Sequence, residues 1–126
     1  MITALYAGPL AILLLVLSAR VITYRRANQL GLGDHGDKSL LKRMRAQANC
    51  AEYVPIGVLM MLLVELQDAP ALLVHVIGLM LLIGRLMHGF GFSASPPRMN
   101  LRVGGMMLTL ISIAVAAVSA FALSLF

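Results

Sequence analysis

The chain has 126 residues, of which 60% are hydrophobic and 12% charged, with a net charge of +5 and a mean hydropathy of +0.93. Soluble domains are about 45–50% apolar and about 25% charged, so this composition argues against a water-soluble fold. Cys50 is the only cysteine, which excludes an intrachain disulfide scaffold, and no stretch shows the alternation over about ten residues that a membrane β-strand needs.

The first apolar run, about Ile2 to Ala19, has no charged segment before it and Arg20 after it. It therefore reads as a spanning helix and not as a cleaved signal. Loop one, about Arg20 to Leu40, carries basic residues together with Gly31, Gly33, Gly36, Asp34 and Asp37, a turn composition. Its Gly-Leu-Gly-Asp stretch lacks the Gly-Lys-Ser/Thr ending of a phosphate loop and follows no strand. The second run, Val54 to Leu66, has only 13 residues and would rise about 20 Å, less than a bilayer requires. It must extend back to about Leu41, which draws Arg45, Asn49, Glu52 and Tyr53 into the helix.

Glu65, Gln67, Asp68 and Pro70 form a tight acidic hairpin leading to span three, about Ala71 to Ile83 and onward through Arg85 and His88. Loop three, about Gly89 to Leu101, holds Ser93, Ser95, Pro96, Pro97 and Arg98. Span four runs from about Val103 to Phe126. All ten Lys and Arg residues fall between Arg20 and Arg45 or between Arg85 and Arg102. The positive-inside rule then puts loops one and three in the cytoplasm and both termini outside. The basic residues report orientation, so no nucleic-acid partner is expected. The reading is an all-α integral membrane protein, a four-transmembrane-helix bundle forming one domain over residues 1–126. Gly78, Gly84, Gly104, Gly105, Thr109, Ser112, Ala116 and Ala120 offer small faces for close helix approach, which suggests a homo-oligomer with sites between subunits.

Arg45, Asn49, Glu52 and Tyr53 stand at i, i+4, i+7 and i+8, a polar stripe on one helical side. Charged groups within a span cost at least about 2.5–3.5 kcal/mol each on insertion scales, which marks them as functional candidates. Arg45 and Glu52 are two turns apart, too far to pair within the helix, so each needs another partner. Asn49 could bond Arg45 or Tyr53, and a Glu52–Arg85 bridge is the purely structural alternative. A ligand matching several arginines, a carboxylate, a carboxamide and an imidazole should be anionic with a cationic or donor group. Glutathione fits, with two carboxylates for arginines, an ammonium for Glu52 and Asn49, and a thiol whose ionised form an arginine would stabilise. Cys50 reads as a packing residue, His35 as a loop residue, Tyr6 and Tyr24 as interfacial anchors, and His75 as packing near the outer end. No metal-ligand spacing exists.

Arg45-Ala46-Gln47-x-Asn49-x-x-Glu52-Tyr53-x-Pro55, followed by Gly84-Arg85-x-x-His88 and by Arg102 opening span four, resembles the MAPEG family, the membrane-associated proteins of eicosanoid and glutathione metabolism. The resemblance extends from Ser18-Ala19-Arg20 to Arg102-x-x-Gly105. It implies a homotrimer of four-helix bundles that binds glutathione between subunits near the cytoplasmic side of a bacterial-type inner membrane. By the same resemblance, Arg20, Arg45, Asn49, Glu52 and Tyr53 bind glutathione, and Arg85 and His88 bind it or shape its site. Arg102 is the catalytic residue stabilising its sulfur, with Arg98 as competitor. On the same resemblance, Phe92 stands where well-studied eukaryotic members have a tyrosine. The implied activity is glutathione transfer or peroxidase chemistry on an apolar electrophile or lipid hydroperoxide arriving from the bilayer. The alternatives are a non-catalytic scaffold subunit of the same fold, and a small proton-coupled exporter using Glu52.

Overall fold

A computed structural model describes residues 1–125. It contains α1 (Ile2–Ala27), α2 (Lys38–Glu65), α3 (Ala71–Ser93) and α4 (Met99–Ser124), each long and apolar enough to cross a membrane. At about 1.5 Å per residue they run about 35–42 Å, beyond the roughly 30 Å hydrocarbon core. The helices outlast the apolar runs. Loop one shrinks from the expected Arg20–Leu40 to residues 28–37, and loop three from Gly89–Leu101 to residues 94–98. Apolarity marks where lipid begins, whereas a helix continues into the headgroup layer because its backbone stays bonded and arginine stems reach water along it.

Loop one is locally locked. Gly33 and Gly36 take φ of +81° and +70°, the left-handed conformation that glycine adopts without a steric cost. Arg25 donates to the carbonyls of Gly31 and of Gly33, the latter at 2.9 Å. Asp37 caps α2, its Oδ1 accepting from Ser39 N (2.8 Å) and Leu40 N (3.0 Å), while Tyr24 donates its hydroxyl to Oδ2 at 2.9 Å. The Leu40 amide, and next the Tyr24 hydroxyl, hold the Asp37 carboxyl below the usual carboxylate range. Arg43 lies 4.5 Å from the Tyr24 ring centroid, so Tyr24 clamps loop one to the start of α2. At the other end of the bundle Glu65 accepts from Ile2 N and, at 2.7 Å, from Thr3 N. The end of α2 thus satisfies amides that the first turn of α1 cannot pair internally, and the two helices run antiparallel.

Helix α1 packs on α2 and α3, helix α4 packs on α2 and α3, and α1 does not touch α4. The closest approach is between α3 and α4. A Cβ on Gly105 would lie 2.4 Å from His88 N and 2.5 Å from Gly84 O. Gly84, Gly105, Thr109, Ser112, Ala116 and Ala120 are all buried inside this one chain, and Ser112 donates to Ile77 O at 2.8 Å. The small faces expected to meet a second subunit are therefore largely consumed by the α3–α4 contact. Gly78 likewise receives the Tyr6 ring. Tyr6 is buried and donates to, or accepts from, His75 Nδ1 at 2.8 Å, so it is an interhelical residue and not the interfacial anchor expected from its position.

Candidate cationic cleft

At the arginine-rich end α2, α3 and α4 diverge around a cleft of ≈ 370 Å³ lined by Arg45, Asn49, His88, Phe92, Met99, Arg102, Val103 and Met106. Helical spacing explains the set. Arg45 and Asn49 are one turn apart on α2, His88 and Phe92 one turn apart on α3, and Met99, Arg102, Val103 and Met106 follow the i, i+3, i+4, i+7 line of α4. Four of the sequence-derived candidates, Arg45, Asn49, His88 and Arg102, thus share one cavity.

Phe92 is the platform of the site. The Arg102 guanidinium sits 3.9 Å from its ring centroid, and its ring lies 5.6 Å from that of His88. A cation over an aromatic face is attracted by the ring quadrupole, so Phe92 fixes Arg102 even though it lacks a phenol hydroxyl. Arg98 is exposed outside this cleft, 6.0 Å from the Phe90 ring centroid, so of the two candidates Arg102 is the one in the cavity.

Arg85 is 2% exposed and lies behind the cleft wall. Its Nε donates to Thr109 Oγ1 (2.9 Å), Nη1 donates to Asn49 Oδ1 (2.6 Å), and Nη2 approaches Met106 Sδ (3.5 Å). Thr109 in turn donates to Gly105 O at 2.8 Å, so one network ties α2, α3 and α4 together. These partners are neutral, and the Tyr53 ring centroid lies 5.7 Å from Arg85 Cζ. Glu52 is exposed. The Glu52–Arg85 bridge considered from sequence is replaced by Asn49–Arg85, because Glu52 is rotated about 60° around α2 from Asn49 and turns away from α3. For the same reason Asn49 bonds Arg85 and not a neighbour on its own helix.

The other candidates lie apart. Tyr53 is half-buried below Arg85, and Arg20 lines a separate shallow cleft with Thr23, Tyr24, Ala27 and Arg43. Cys50 packs against an apolar cluster that includes Leu10, Leu17 and Leu81, as its sequence context suggested, and His35 is exposed in loop one. Thr109 and Met106 belong to the site's support and are not evident from sequence. The available signal was a hydroxyl one turn after Gly105 in an otherwise apolar span.

Four apolar helices with a cationic cleft at one end define an integral membrane bundle whose polar groups are gathered between helices. The chain belongs to the MAPEG family, whose profile matches residues 3–122. It is similar to Inner membrane protein YecN from Escherichia coli strain K12, at 40% identity over 92 residues, 73% of this chain and 70% of that protein. The protein of the same name from Escherichia coli O6:H1 strain CFT073 matches with the same identity and the same coverage.

Proposed function

We propose that this protein binds glutathione in the cationic cleft and acts as a glutathione transferase or peroxidase on apolar electrophiles or lipid hydroperoxides, in the inner membrane, with loops one and three on the cytoplasmic side. The observation that carries the reading is electrostatic. Arg45 and Arg102 line one cavity, Arg85 is buried behind its wall, and no carboxylate among the described residues lines it. Three guanidiniums gathered with neutral partners in a low-dielectric setting favour an anion. The donor set suits a tripeptide with two carboxylates and a thiol, and glutathione supplies the nucleophilic sulfur. Arg45 pairs with a carboxylate, and Arg102 beside the sulfur favours its ionised form. Met99 and Val103 are exposed on the same wall, which opens the cleft to an apolar reactant from lipid.

The site is completed between subunits. Glu52 lies near the middle of α2, 13 residues and so about 20 Å before Glu65, yet it is exposed on a single chain. A carboxylate at that depth must be covered. Glu52, Ile56, Leu59 and Leu63 are all exposed at spacings of four, three and four, with Arg45 seven residues earlier. That is the a/d seam of a coiled coil, and a homotrimer about α2 would cover it. It would bring Glu52 of one subunit toward the cleft of the next.

Calorimetric titration of the detergent-solubilised protein with glutathione tests the reading. Wild type should bind, and Arg45→Ala and Arg102→Ala should each weaken binding about tenfold or more, as expected for loss of a charged hydrogen bond. No heat of binding at millimolar glutathione would refute it. One observation favours a scaffold role instead: Phe92 already covers one face of Arg102 and Asn49 already holds Arg85, so part of the polar set is satisfied without a ligand. A folded wild type that neither binds glutathione nor turns over hydroperoxides would establish that role.

A further inference from the structure

We infer that Arg85 is a positioning residue and not a ligand, and that it turns the Asn49 carboxamide so that the cleft presents a hydrogen-bond donor there and selects a carboxylate or other acceptor over an ammonium. The inference rests on the proposed glutathione site but makes a claim of its own. A guanidinium has only donors, so the Asn49 atom 2.6 Å from Arg85 Nη1 must be Oδ1. The remaining Asn49 group is then the NH2, on the residue that lines the cavity. Arg85 itself does not line it, and both its Nε and Nη1 are used within the chain.

The consequence reverses one expectation from sequence, in which Asn49 receives the ammonium of a γ-glutamyl group. With Arg45, Arg102 and the Asn49 NH2 all donating, an ammonium placed at Asn49 would meet a donor flanked by two like charges. An acceptor placed there would complete the carboxamide, and the ammonium falls to Glu52. Thr109 is part of the device, since its hydroxyl accepts from Arg85 Nε while donating to Gly105 O. That bond fixes the plane of the guanidinium and through it the plane of the carboxamide.

Asn49→Asp is the decisive variant. It keeps the size and gives Arg85 a better acceptor, yet it replaces the cleft-side NH2 by an oxygen. The melting temperature in detergent should rise or hold, while affinity for glutathione falls about tenfold to a hundredfold, the range for leaving a buried group unmatched. Arg85→Lys, which still donates to Asn49, should retain binding within a few-fold, whereas Arg85→Met should lose it. Glutathione binding to Asn49→Asp within about twofold of wild type would overturn the inference, as would a fall in its melting temperature to that of Asn49→Leu. The melting comparison needs no ligand, so it judges the Arg85–Asn49 orientation even if wild type fails to bind glutathione, a result that would instead defeat the proposed function.

Discussion

Phe92 and Arg102 show how an aromatic face can organise a cationic cleft without offering a hydrogen bond. A tyrosine there would offer a hydroxyl to the ligand. The phenylalanine offers only its face, and Arg102 occupies it at 3.9 Å. Phe92→Leu removes the quadrupole and should weaken glutathione binding by a few-fold, consistent with about 0.5–1 kcal/mol for a partly exposed cation–π contact. Phe92→Tyr should keep the stacking, add a donor and tighten binding, as titration against wild type would show. At the opposite wall of loop one, Asp37 makes a pH prediction. Its carboxyl is held below the ordinary range by the Leu40 amide and then the Tyr24 hydroxyl. A depressed folded value means the stabilisation is present above the unfolded value of 3.8 and is lost as pH falls through the folded one. Asp37→Asn should therefore be less stable than wild type near neutrality, and the difference should shrink in thermal melts taken below about pH 4.

Among the elements, the α3–α4 contact positions the cleft, because His88 and Phe92 face Arg102 and Met106 across it. Gly105 meets backbone atoms of Gly84 and His88, whereas a Cβ on the adjacent Gly104 would meet only the flexible end of Met87, 3.2 Å away. Gly105→Ala should destabilise the bundle by about 1–3 kcal/mol, the usual cost of overpacking, and should weaken glutathione binding by displacing Arg102. Gly104→Ala should do neither. The same contrast shows what sequence could convey. The four spans follow from apolar runs, and the gathering of Arg45, Asn49, His88 and Arg102 follows from helical periodicity within each span. What was not legible depends on rotation between spans. Arg85 chooses Asn49 and Thr109 over Glu52 because of how α2 and α4 are turned toward α3. The small residues of α4 face α3 of the same chain, a choice that composition leaves open. Helix ends were misplaced for a different reason, since charged residues at Arg20 to Arg26 mark the water boundary without interrupting backbone bonding.

The arrangement of the whole molecule turns on Glu52. In one chain it is exposed on the seam of α2, seven residues from Arg45 and outside the cleft that Arg45 lines. If each site combines the cleft of one subunit with Glu52 of the next, two impaired variants can complement each other. Arg102→Ala supplies an intact Glu52, and Glu52→Ala supplies an intact cleft. In rings assembled at random from equal amounts of the two, an Arg102→Ala subunit follows a Glu52→Ala subunit at about one junction in four, whatever the size of the closed ring. Co-expressed protein should therefore recover about a quarter of the sites of wild-type affinity, while each variant alone shows only weakened sites, and native mass spectrometry of the same sample should give the mass of three chains. A site contained within a single chain would recover nothing on mixing, because every chain would carry one defect, so the titration of the mixture distinguishes a composite site from a self-sufficient one.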